Sequence, residues 1–105
     1  MEWFYDNADA NPVVERVYCL AWAEFTDEDW AALGRIYRDL PGWQPGSPDI
    51  ARWFAPDDDA EQHLWASVEP SGLQVGGLLS ADAWQAWDGQ FRRAVVDAGL
   101  PRFDH

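Results

Sequence analysis

Lysine is absent from this sequence, cysteine occurs once, and histidine occurs only at His63 and His105. No apolar run approaches the roughly 20 residues that cross a bilayer. Each absence excludes something. A lone Cys19 cannot form an intramolecular disulfide, and its place inside an apolar run fits a buried, inert thiol. There is no HExxH, no CxxC, no phosphate loop and no GxSxG. Ser67 stands two residues from His63, roughly 7 Å along a strand, too far for a nucleophile and its base. No cofactor and no metal are expected, and binding is expected rather than catalysis. Residues 1–12 are acidic and lack a basic leader region, so a secretory signal is not expected. The expected compartment is a bacterial-type cytoplasm.

What is present is acid. Nineteen Asp and Glu face seven arginines, for a formal charge of −12. The use of Arg without Lys, with Ile only at Ile36 and Ile50, fits a GC-rich genome; the acid excess does not follow from that. Such a charge repels nucleic acid and anionic membranes and attracts basic proteins. It also serves solubility or adaptation to a salt-rich cytoplasm. The expected partner is a basic protein, with no nucleic acid and no membrane, and the chain is expected as a monomer or homodimer. An apolar content of 48% argues against disorder, and 105 residues suit a single acidic α+β domain.

Alternation predicts strands over Glu15–Phe25, His63–Glu69 and Leu73–Leu79, the last two joined as a hairpin through Pro70-Ser71-Gly72. Ile50–Phe54 reads as a short edge strand within the segment carrying Pro45, Pro48 and Pro56. Gly76-Gly77 suggests a bulge or a close backbone approach. Thr26 caps a first helix, with Asp29 placed for a capping box and Phe25 and Trp30 placed for a hydrophobic staple. Ser80 caps a second helix, with a stripe of Trp84, Trp87, Phe91, Ala94, Val95 and Ala98, and Gly99 at its left-handed stop. Trp3-Phe4-Tyr5 is expected to dock on the body, because free termini rarely carry three aromatics. The expected fold is an α+β two-layer sandwich of order β-α-β-β-β-α. An antiparallel sheet of three to four strands carries both helices on one face, and a ferredoxin-like split βαβ sheet is one such arrangement. The two capped helices, each closed by Leu-Pro-x-aromatic, align at an offset of 54 as a weak internal repeat.

Two groups of residues are candidates for a site. The run Asp57, Asp58, Asp59 and Glu61 is contiguous and has no Gly, unlike a calcium loop, and suits contact with Lys or Arg of a partner, with Trp43 and Trp53 as aromatic anchors. Strand parity also predicts an open sheet face carrying Tyr18, Trp22, His63 and Trp65, as a ligand or dimer site. RNA-binding sheets expose aromatics too, but with a basic rim that this chain lacks. Three functions compete. One is a protein-binding module, such as an immunity-type inhibitor of a basic toxin. The second is a small-molecule-binding domain or enzyme built as a ferredoxin-like dimer. The third is a DNA mimic that blocks a DNA-binding protein.

Overall fold

The N-terminal aromatics form a strand, and that strand completes the sheet. The computed structural model describes residues 2–8, 10–46 and 50–105; Pro48 lies outside them. Among the described residues the strands are β1 (Phe4–Asp6), β2 (Val13–Tyr18), β3 (Ala51–Trp53), β4 (His63–Glu69) and β5 (Gly72–Leu78). The helices are α1 (Asp27–Asp39) and α2 (Ala81–Ala98), with a 3-10 turn at Trp22–Glu24. The five strands make one antiparallel sheet of order β1-β2-β5-β4-β3, an α+β fold with one strand more than the upper expected number. Trp3-Phe4-Tyr5 therefore extends the sheet at an edge instead of lying across it.

β5 runs between β2 and β4, so β2-α1-β4 is a split β-α-β unit. Each helix also follows an antiparallel hairpin. β1-β2-α1 is followed, after the edge strand β3, by β4-β5-α2, with β2 and β5 paired at the centre. The stretch after each helix makes an isolated bridge, Trp43 to Trp53 and Arg102 to Leu20. The repeat legible in the helices thus has a hairpin-plus-helix form in three dimensions.

Local chemistry sets the helix limits. Thr26 accepts from the Asp29 backbone N–H while the Asp29 carboxylate accepts from the Thr26 N–H, a complete capping box. The Phe25 and Trp30 rings meet at 4.9 Å, as a staple requires. Ser80 accepts from the Ala83 N–H, and Gly99 ends α2 at φ 66°.

The sheet has two unlike faces. Val14, Arg16, Tyr18, Leu64, Ala66, Leu73, Val75 and Trp53 share one, by register. Most of these join Leu33, Ile36, Leu40, Trp84, Trp87, Phe91 and Val95 of the helical segments in one core. Each large side chain fully buried there contributes roughly 1.5–3 kcal/mol. The Trp87 indole nitrogen has no hydrogen-bond partner among the described residues; the Trp87 ring packs against those of Trp53, Trp84 and Phe91 at 5.0–5.8 Å. Among the described residues no helix packs on the opposite face, where Val17 and His63 are nonetheless buried.

The first central strand differs from its expected span. It begins at Val13, ends at Tyr18, and Trp22–Glu24 turns away as 3-10 helix. Cys19, Ala21 and Ala23 therefore do not share the strand's alternation. Tyr18 points at the helices and is fully buried, which corrects its expected place on the open face.

Candidate binding surface

The open face is built row by row from the strand register. Tyr5 pairs with Val17, Val17 with Gln74 and Gln74 with Ser67. The next row runs Glu15, Gly76, Trp65, Arg52. His63 lies opposite Leu78, and Glu69 opposite Gly72. Gly76 has a specific purpose there. A Cβ on it would stand 2.6–3.1 Å from three atoms of the Trp65 six-membered ring, so that ring occupies the space above the glycine. The expected close approach at Gly76-Gly77 is present, and the β4–β5 register runs through it without a bulge.

Beside Trp65 is a shallow recess of about 310 Å³ lined by Ile50, Asp58, Trp65, Ser67, Glu69 and Gln74. The Ser67 hydroxyl donates to Glu69 Oε2 at 2.5 Å, which orients that carboxylate. Arg52 donates to Asp58 Oδ1 at 2.7 Å. His63 is buried, with Nδ1–H donating to the Ala60 carbonyl at 2.9 Å and Nε2 4.0 Å from Asp58 Oδ1. The acidic loop thus reaches the open face through one member. Asp58 joins the recess, while Asp57 folds back to accept from the Asp59 N–H at 3.0 Å. Asp57, Asp59 and Glu61 are exposed.

The expected aromatic anchors are elsewhere. Trp53 is fully buried, because β3 places it opposite Leu64 on the helix face, where its N–H donates to the Tyr37 carbonyl at 3.0 Å. It offers no surface to a partner. Trp43 is half-buried against Trp53 and Tyr37. Trp22 is separated from His63 and Trp65; it stacks on Trp30 at 5.0 Å with Phe25 beside it. Trp30 is 41% exposed, among Glu24, Asp27 and Glu28 of the same segment. The two surfaces meet at Glu69, whose carbonyl accepts from the Trp22 N–H at 2.8 Å and whose side chain lines the recess. Next to it, Val68 is 52% exposed.

Ser67, Glu69 and Gln74 were not expected as site residues. Their signal was the period of two on β4 and β5, which puts Ser67 and Glu69 in line with Trp65 and sets Gln74 opposite Ser67.

The helix-covered face holds a charged group of its own. Asp88 is buried and accepts from Tyr18 Oη at 2.6 Å, from Arg16 at 2.8 Å and from Arg92 at 2.9–3.2 Å. Arg16 also donates to both oxygens of Asp6, at 2.6 and 2.9 Å. The Phe4 ring has the Arg16 guanidinium at 4.3 Å and that of Arg92 at 4.8 Å. Burial pulls the Arg16 guanidinium down, but the Asp6 hydrogen bond and the nearby charges outweigh it and hold it above its ordinary range. Burial pushes the Tyr18 phenol well up, and the charge and hydrogen bond of Asp88 add to that. Burial also raises Tyr37 and Cys19. All the polar groups here have partners within the chain, so this network serves to fasten β1, β2 and α2 together.

No group of three or more His, Cys, Asp or Glu among the described residues is arranged to hold a metal ion. Among the described residues, no helix is long and apolar enough to cross a membrane. No protein-family model matches the chain, and no curated protein or solved structure is significantly similar to it.

Proposed function

We propose that this chain is a small acidic binding module that docks a basic protein on the open face of its sheet, in the manner of an inhibitor that neutralises a cationic partner such as a toxin. One observation carries the reading. Trp65 is partly exposed on the sheet face away from both helices of the described residues, beside the carboxylates of Asp58 and Glu69. Aromatic side chains next to charge are the residue types that dominate interface energetics. The −12 charge supports rapid, salt-sensitive association with a positive surface.

The test reverses charge at the recess. A panel of purified small cationic proteins is titrated calorimetrically with the wild-type chain, with the double variant Asp58→Lys and Glu69→Lys, and with Asp27→Lys and Glu28→Lys at the start of α1. The expected outcome is a partner whose affinity falls at least about tenfold for the recess variant and weakens with salt. Equal losses from both variants would mean that only net charge matters and would sink the open-face assignment.

A further inference from the structure

We infer that the recess beside Trp65 is a seat for an arginine side chain of the basic partner, in preference to lysine. This rests on the reading above and adds the chemical group recognised. Four features carry it. The first is the planar indole of Trp65, whose six-membered ring lies over Gly76, in space that any side chain there would fill. The second is the Glu69 carboxylate, fixed by the Ser67 hydroxyl on one oxygen. The third is the mixed lining: the Gln74 amide and Ser67 hydroxyl add polar atoms to the recess, and Ile50 adds an apolar wall suited to a methylene stem. The fourth is a precedent within the chain. Arg52 lies opposite Trp65 in the β3–β4 register and donates to Asp58, so this part of the face already accommodates a guanidinium beside a carboxylate.

A planar, weakly hydrated guanidinium can stack on an indole and donate to a carboxylate at its edge at the same time. A lysine ammonium is a compact, strongly hydrated point charge and gains little from the flat ring. The recess is shallow and about 310 Å³, which suits one side chain and not a whole folded ligand. Charge complementarity decides the sign of the occupant. Asp58 and Glu69 are acidic, and Arg52, beside Trp65 in the register, is already bound to Asp58.

The experiment uses the full chain with hexa-arginine and hexa-lysine peptides, followed by calorimetry and by the backbone and indole N–H signals in NMR spectra. The expected result is about tenfold tighter binding of the arginine peptide. The shifts are expected at Trp65, Ser67, Glu69 and Gln74. Trp65→Leu keeps apolar bulk but removes the planar face, and is expected to bring hexa-arginine down to the hexa-lysine level. Glu69→Gln is expected to weaken both peptides and to reduce the arginine advantage, which keeps the test decisive if Trp65→Leu does not fold. Equal affinities for the two peptides would overturn the arginine seat and leave the basic-partner reading standing. An arginine preference that survives Trp65→Leu in a folded variant, or shifts confined to the Trp22–Trp30 pair, would also overturn it. Failure of both peptides to bind would remove the basic-partner reading and the arginine seat together.

Discussion

Asp88 and Asp58 are each gripped by arginine, on opposite faces of one sheet. Asp88 has 8% of its side chain exposed and accepts from Arg16, Arg92 and Tyr18. Asp58 has 60% exposed and accepts from Arg52. The distances are nearly equal, 2.8 and 2.7 Å. The surroundings are not. Asp88, Tyr18 and Arg16 are shielded from water, so a partner lost among these three is not replaced by solvent. On the open face water and salt compete with Arg52, so the pair contributes little and can be exchanged. The same ion pair is therefore fastening on one face and available chemistry on the other.

The largest effect belongs to the buried face. Asp88→Ala leaves the Tyr18 hydroxyl without its acceptor and Arg16 with Asp6 alone, and is expected to cost about 3–5 kcal/mol in urea unfolding. A loss below about 1 kcal/mol would show that Asp88 behaves like a surface residue.

A medium effect comes from the phenols. Tyr18 and Tyr37 keep their protons in the fold above the pH at which they lose them in the unfolded chain, whose ordinary value is 10.0. The unfolded state then binds fewer protons than the native state, so stability falls as pH rises. The contribution is fully present below about pH 10 and is lost between there and the raised native values, with a slope of about 1.4 kcal/mol per pH unit for each phenol. Tyr18→Phe is expected to remove one such share of the alkaline slope. It is also expected to cost about 1.5–3 kcal/mol near neutrality, because the hydrogen bond to Asp88 is lost. Denaturant melts at a series of pH values read both quantities.

The smallest effect belongs to the open face. Arg52→Ala is expected to change stability by at most about 1 kcal/mol, because one partner is largely solvated. The same variant frees Asp58, so it is expected to tighten binding of a cationic peptide. A large loss of stability would show that Arg52 holds β3 in place and would blur the difference between the faces.

Much of the fold was legible in the sequence. Thr26, Asp29, Ser80 and Gly99 report helix ends through hydrogen bonds a few residues long, and those ends lie where the capping chemistry requires. Pro70-Ser71 marks the hairpin turn for the same local reason. The open face was half legible. His63 and Trp65 share one face of β4, as parity within a strand requires, though His63 is buried on it. Tyr18 was misplaced because the end of β2 is not set by alternation. The apolar pattern continues past Tyr18, but the chain turns into a 3-10 segment at Trp22. Arg16 takes one of its partners, Asp88, from 72 positions away. Trp53 reads as a surface anchor from its acidic neighbours, yet its place opposite Leu64 buries it.

The sequence by itself determined the acidity, the two capped helices, the hairpin and the α+β class, because each depends on composition or on contacts within a few residues. Tertiary structure alone decided which side of the sheet is dry. Arg16, Tyr18 and Asp88 come together only when α2 packs across β2, and Asp58 reaches Trp65 only when the acidic loop closes beside β4. Those encounters join residues far apart in the chain, and burial, which sets the strength of a charge pair, exists only once the layers have formed.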